Sequence, residues 1–396
     1  VKYHSQEYSW FRLEEDYMAL ILNEEQLMLK ESAKGFLSEN ASIKEVREQR
    51  DSGSTTGYAD TLWPKMVDMG WSAILVPEEF GGLDFGNVGM AQIVEDTGRT
   101  LTASPLFSNA IVSVSLIKKM GNDDQKSNFL PKLASGQLMM TLAIDEEPHH
   151  NPEKIGMMAT EEGDSYLLNG KKRFVIDGST ADKFIVVART DQKSKGKDGL
   201  SLFFVDSDAI GVEVERTQMV DGRNSAFVVF KDVVVHRKQM LGQKNKGFKP
   251  LSSVLDLANI HLSAELLGIC EETFDRTLQY LKQRKQFGSL IGSFQALQHR
   301  AAHWWSEIEM CKSIVLKALQ SYDQDDARSP FLASIAKAKL CEIAELSTNE
   351  AIQMHGGIGM TDEYEIGFFI KRARPAQMLF GDHNYHVNKF AASCGY

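Results

Sequence analysis

The stretch "YLKQRKQFGSLIGSFQALQHRAA" (residues 280–302) interrupts one long helical pattern and starts another, and the reading of that break decides the fold. Helical apolar spacing runs through residues 252–284, resumes over 294–322, and a third run covers 330–355. Each run is long enough for a full-length bundle helix. The break holds Arg284, Gln286, Phe287 and Gly288, with Phe294 and Gln295 at the restart. An arginine presents a planar fork suited to phosphate oxygens, and it is also at home as an exposed charge at a helix end.

A second stretch, "AIQMHGGIGMTDEYEI" (351–366), carries Gln353, Gly356, Gly357, Gly359, Glu363 and Tyr364. A Gly-Gly turn lets backbone N–H groups approach a pyrophosphate with no Cβ in the way. The plainer reading is a helix C-cap and turn. Glu363 and Tyr364 read as the start of the next helix.

Upstream the character changes. Residues 141–240 contain "SYLLNGKKRFVIDG", "DKFIVVARTD", "GLSLFFVDSD" and "SAFVVFKDVVVHR", short β-branched and aromatic runs split by turn residues. Such a block predicts a small antiparallel barrel or sandwich. Residues 23–136 are mostly helical in spacing, with Leu27, Leu29, Ala33 and Phe36 on one side of the first run. There "WSAILVPEEFGGLDFG" makes a loop at Pro77, Gly81 and Gly82. The expected fold is α+β: a helical domain over 23–138, a β-barrel domain over 139–243 and a four-helix bundle over 244–396. Residues 1–22 are expected to be an extension.

The chain of 396 residues is 43% hydrophobic and 25% charged, which is an ordinary globular composition. Its net charge of −10 argues against nucleic acid as a partner. Cys270, Cys311, Cys341 and Cys394 form no CxxC pair and read as reduced thiols. No apolar run looks long enough to span a membrane, and the first residues lack the order of a secretory signal. A cytoplasmic location is expected.

Together the R-x-Q-F-G…F-Q and Q-x-x-G-G-x-G motifs, with "MGWSAILVPEEFGGLDFG" and "GQKNKGFK" upstream, resemble the acyl-CoA dehydrogenase family from about Leu22 onward. The resemblance implies FAD, with Arg284, Gln286, Phe287, Gln295, Gln353, Gly356 and Gly357 gripping its diphosphate and adenosine across neighbouring subunits. It implies an oligomer, an acyl-CoA substrate and an electron-transfer flavoprotein as electron acceptor. In the family a glutamate removes the proton alpha to the thioester while a hydride leaves the beta carbon.

Several positions depart from the family pattern. Laying "HGGIGMTDEYEIGFFIKRARPAQMLFGD" over it puts Phe380 where the glutamate stands, and the alternative base position, on the first long helix, is Ala258. The backbone N–H of Phe380 still suits the thioester oxygen. The loop "DEEPHHNPEK" keeps Pro148, while Phe174 and Ile176 replace a tryptophan and a threonine that meet the flavin. His149 and His150 read as loop residues.

Asp382, in "QMLFGDHNYH" (377–386), is the nearest carboxylate to the expected reaction centre. Two readings stand: a displaced catalytic base, and a salt-bridged or helix-capping group. Metal ligation with His383 and His386 is set aside, because no further ligand set is evident. Asp256 is read either as lining the CoA chain or as an exposed first-turn helix carboxylate. Trp304 and Trp305 either narrow a pocket or belong to the core.

The "LFGD…H" ending resembles small subunits of heteromeric acyl-CoA dehydrogenases. The alternatives are a non-catalytic partner that completes another chain's flavin site, and a DNA-protecting relative. The latter branch carries a basic C-terminal extension, whereas this acidic sequence stops at Tyr396.

Overall fold

A computed structural model describes residues 20–396, so most of the expected extension over 1–22 lies outside the described residues. The chain then runs helices, sheet, helices. The first segment contains α1 (Glu24–Asn40), α2 (Ile43–Asp51), α3 (Leu62–Asp68), α4 (Asn87–Thr100), α5 (Val114–Met120) and α6 (Asp123–Ala134). Helix α1 starts on a capping box, Asn23 with Gln26, and α6 on another, Asn122 with Gln125. In each, the Asn side chain accepts an otherwise unpaired N–H while the Gln reaches back to the cap. The loop at Pro77 and Gly81 forms as its residues require, two short 3₁₀ turns flanking an extended proline. The run before α5, read as ordinary helix, opens as a buried π-helix, Leu106–Ser113, which carries Phe107 and Ser108.

The strands are β1 (Met140–Ala143), β2 (Met158–Glu162), β3 (Ser165–Ile176), β4 (Lys183–Arg189), β5 (Leu200–Asp206), β6 (Val212–Arg216), β7 (Ser225–His236) and β8 (Met240–Leu241). They form one sheet in the order β6-β7-β3-β2-β4-β5-β8, largely antiparallel, with β1 added to β4 in parallel register. The β3–β7 pairing shifts register between Lys172 and Val175. That irregularity takes Phe174 out of the ladder at φ +49° and leaves the residue 43% exposed.

The last segment holds α7 (Phe248–Gln283), the hairpin β9 (Lys285–Gln286) and β10 (Ser289–Leu290), then α8 (Gln295–Asp323), α9 (Ser329–His355), α10 (Ile366–Met378) and α11 (His383–Ser393). Three of these coincide closely with the helical runs in the sequence. Contrary to the sequence reading, α7 is long and apolar enough to cross a membrane, but 94% of its most apolar window is buried inside the fold. Its apolarity serves the bundle core, where α4 and α9 cover it.

Helices α4 and α7 cross backbone to backbone. A Cβ added at Gly268 would stand 1.8 Å from Glu95 O, and one at Gly98 would stand 2.1 Å from Glu265 O. Only hydrogen fits at either position. Gly268→Ala therefore forces the two helices apart and is expected to cost roughly 2–3 kcal/mol, as overpacking does. The check is a shift of the urea midpoint at unchanged slope.

Candidate active site

The turn between α10 and α11 is held by several buried contacts. Phe380 sits in it at φ +54° and is buried, a strained backbone that persists only where surroundings hold it. The ammonium of Lys337, itself fully buried in α9, donates to the carbonyls of Leu379 at 2.7 Å, Gly381 at 3.0 Å and Gln377 at 3.3 Å. Burial pushes this amine down to about 8. The Phe380 carbonyl accepts from Asn259 Nδ2 and from His386 Nε2, each at 3.2 Å. Burial pushes His386 down to about 2, so it is neutral and that nitrogen carries its hydrogen. The N–H of Phe380 has no hydrogen-bond partner among the described residues. A fixed, unspent donor is the result.

Beside this turn lies a cavity of about 320 Å³ between the sheet and the bundle. Phe174, Ile176 and Asp177 line its sheet side, Met378 and Leu379 its bundle side, and Phe107 of the π-helix its third wall. The loop after β1 supplies Asp145, Glu147, Pro148 and His150. Asp145 and His150 form a pair: Nδ1 of the ring lies 2.8 Å from one carboxylate oxygen and 3.0 Å from the other. The His150 ring packs edge-on against Phe380, centroids 5.7 Å apart, and against Tyr385 at 5.3 Å.

A buried charge cluster closes the far wall. Glu265 of α7 accepts two parallel bonds from Arg372 of α10, both 2.7 Å, and an ion pair from Arg223 at 2.9 Å. Arg372 also donates to Asp221 at 2.8 Å. Burial pushes Glu265 upward, yet the two guanidiniums outweigh it and hold the carboxyl at about 2. Asp177 is less well served. It accepts from Ser108 Oγ at 2.6 Å, but burial lifts it to about 6.

At the other end of the bundle the structure brings together the two motifs read in the sequence. Tyr280 OH donates to His355 O at 3.3 Å, with the rings 4.4 Å apart, which sets the turn after α9 beside the end of α7. The side chains of Arg284, Gln286, Gln295 and Gln353 make no hydrogen bond or ion pair among the described residues. Phe287 is 91% exposed. A Cβ at Gly356 or Gly357 would meet nothing within 4 Å. An unpaired fork, three free amides and an open Gly-Gly turn fit an anionic group with aromatic character, and the apolar cavity fits a planar ring system. The residues thus suit FAD at both ends.

The family profiles described as acyl-CoA dehydrogenase N-terminal, middle and C-terminal domains match residues 23–137, 147–233 and 245–394. The chain belongs to the acyl-CoA dehydrogenase family. A probable acyl-CoA dehydrogenase of Bacillus subtilis, YngJ, is 33% identical over 363 residues, covering 89% of this chain and 93% of that one. The butyryl-CoA dehydrogenase structure from Megasphaera elsdenii superposes with a TM-score of 0.88 at 26% identity, covering 96% of this chain and all of the other. A chain in a structure described as the electron transferring flavoprotein of Acidaminococcus fermentans matches with a TM-score of 0.87 at 27% identity, over 95% and 99% of the two chains.

In this chain the structure places the carboxylates and tryptophans singled out in the sequence. Asp382 is the N-cap of α11: its Oδ1 accepts the Tyr385 N–H at 2.9 Å, and it does not line the cavity. That is its capping reading. Asp256 is no exposed first-turn carboxylate. It is buried two turns into α7, bonded to Lys389 at 2.5 Å, and absent from the cavity wall. Trp304 is core and bonds Ser347, whereas Trp305 is half exposed. Sequence reading did not single out Asp145, Asp177 or the Glu265 cluster; its placing of His150 in a loop holds, with the residue lining the cavity. The one local signal was two histidines beside acids in "DEEPHH".

Two outcomes are expected. Asp382→Asn preserves the cap and leaves turnover within a few-fold of native, while Asp382→Ala lowers stability by about 1 kcal/mol; denaturation and steady-state assays read both. For Asp177, the folded carboxyl titrates near 6 against an ordinary value of 3.8, so the folded state holds a proton that the unfolded chain releases between those values. Stability then falls as pH rises through that window. Asp177→Asn escapes the loss, and thermal unfolding should show its advantage over native growing from pH 4 to pH 7.

Proposed function

We propose that this chain is a flavin-dependent acyl-CoA dehydrogenase subunit that introduces an α,β double bond into a CoA thioester. The observation that carries the reading is the Phe380 turn: a rigid, unpaired backbone donor beside a largely apolar cavity. Held by Lys337, Asn259 and His386, that N–H is preorganised for a thioester oxygen, whose growing charge it would stabilise as an α proton leaves. Bound FAD would supply the hydride acceptor for the β carbon. Arg284 would take the cofactor's diphosphate in its fork, with the Gly356 and Gly357 amides alongside and Gln286, Gln295, Gln353 and Phe287 around them. Ile176 and Phe174 give the flavin side an apolar surface.

The exposed positions of Phe287, Phe294, Ile358 and Met360 around this anion site support a composite site shared between subunits, in which each chain supplies part. The branch suggested by the sequence, one subunit of a heteromer, is consistent with that. Similarity to the electron transferring flavoprotein structure supports an electron-transfer flavoprotein as acceptor, and a cytoplasmic place fits the free thiols.

A second reading, a partner subunit without chemistry of its own, is favoured by Phe380 and Ala258, neither of which offers a carboxylate. The visible spectrum separates the two. A flavin band in the isolated chain that bleaches with an acyl-CoA makes it a dehydrogenase by itself. Flavin gained only on co-expression with a neighbouring gene product, with bleaching traced to that product, makes it the completing half. Arg284→Ala is expected to lose FAD on gel filtration in either case, and full retention would remove Arg284 from the diphosphate site.

A further inference from the structure

We propose that His150, oriented by Asp145, is the proton acceptor of this active site, in place of the carboxylate that neither Phe380 nor Ala258 supplies. The inference rests on the acyl-CoA dehydrogenase reading above and names the group that the reading leaves unassigned.

The geometry is that of an oriented base. An ionised Asp145 can only accept, so the ring nitrogen it faces, Nδ1, carries the hydrogen, and in the neutral ring Nε2 is the nitrogen with the lone pair. Nε2 has no hydrogen-bond partner among the described residues. The ring is wedged against Phe380 and Tyr385, so its plane is set by packing as well as by the carboxylate. Both members line the cavity. The side chain of His150 is only 3% exposed and that of Asp145 13%, which shields the pair from competing water.

The other acids of the cavity are less suited. Asp221 is bonded to Arg372, Asp177 is bonded to Ser108, and Glu147 is exposed. The His150 ring lies edge-on against Phe380, the residue at the family's base position, on which the Phe107 ring also stacks at 6.2 Å. The surrounding titratable groups are Tyr385 and His386, which burial keeps neutral, and the Lys172–Glu146 ion pair behind the loop.

The step is a proton transfer. The α C–H bond breaks, an N–H bond forms at Nε2, and the electron pair stays on the substrate, delocalised into the thioester whose oxygen the Phe380 N–H holds. The imidazolium so formed is stabilised by the Asp145 carboxylate. With no net oxidation the transfer reverses, and solvent hydrogen returns to the α carbon. A bound flavin would supply the acceptor for a hydride leaving the β carbon.

The test is α-hydrogen exchange in D2O, followed by NMR, with butyryl-CoA, isobutyryl-CoA and 3-phenylpropionyl-CoA on the flavin-loaded protein in whichever subunit composition retains flavin. His150→Gln is expected to slow exchange roughly 10²- to 10⁴-fold, the usual range for a general base, while thioester binding by calorimetry stays within a few-fold. His150→Ala should regain part of the rate with added imidazole. Equal exchange in H150Q and native protein overturns the assignment and leaves the functional reading standing. Loss in Asp177→Asn with H150Q unaffected also overturns it and moves the base to Asp177. Failure of the native protein to bind or exchange any of the three thioesters overturns the functional reading and the inference with it.

A readout independent of turnover is the ¹⁵N spectrum of the imidazoles in the ligand-free native protein. His150 should show a protonated Nδ1 and a bare Nε2. In Asp145→Asn, whose amide can donate to Nδ1, the hydrogen should move to Nε2, a tautomer change that simple loosening of the loop would not produce. A native His150 protonated at Nε2 overturns the proposal whatever the kinetics show.

Discussion

The carboxylate of Glu265 governs how the three parts of this molecule meet. It lies in the middle of α7, fully enclosed, where an unpaired anion would be untenable. Two guanidiniums satisfy it, and each comes from a different direction: Arg372 from α10, and Arg223 from the loop between β6 and β7. Arg223 then donates to the carbonyl of Thr102 at 2.7 Å, just past α4. One acid thus ties helix, sheet and bundle at a single point, and removing one partner would leave charge buried without compensation, typically a loss of 3–5 kcal/mol. Only a few ångströms from Glu265 along α7, Gly268 lets α4 approach to backbone contact.

That junction builds the cavity as a consequence of packing. With Arg372 anchored, α10 must end where it does, and its last residues become a cavity wall. The turn that follows is pinned by a buried ammonium that donates to three carbonyls, with the Asp382 charge nearby. Lys337 acts there as a cap for the C-terminal end of α10, where carbonyls lack helical partners and a positive charge is favoured. The strain at Phe380 is held by the same contacts. What they leave free is one N–H, the kind of group an acyl-transfer or enolising site requires.

The two ends of the site differ in completeness. The cavity end is enclosed within one chain, with its polar groups mostly paired. The Arg284 and Gly356 end is open, with unpaired donors and large apolar side chains facing outward. Surfaces of that kind are ordinarily covered in an assembly, as the proposed composite site requires.

Periodicity in the sequence was enough to place the three long helices, the strand-rich block and the break at Arg284, because helix and strand spacing are local properties that burial enforces residue by residue. The Arg-Gln-Phe and Gly-Gly motifs could be singled out as a candidate anion site for a related reason: such chemistry lies in the backbone and in one or two adjacent side chains. The rest depended on residues far apart in the chain. Asp382 reads equally as base or cap until the start of α11 shows its oxygen on the Tyr385 N–H. Asp256 reads either as lining a CoA chain or as an exposed helix carboxylate until Lys389 meets it, buried, from 133 residues away. Phe174 faces the cavity only because β3 slips against β7. His150 and Asp145 are near in sequence, yet nothing local shows that their loop closes over Phe380, since that depends on where α10 stops, and α10 is placed by a charge on α7. Side-chain type and spacing determined the elements; the pairing of buried charges between them decided which residues share a site.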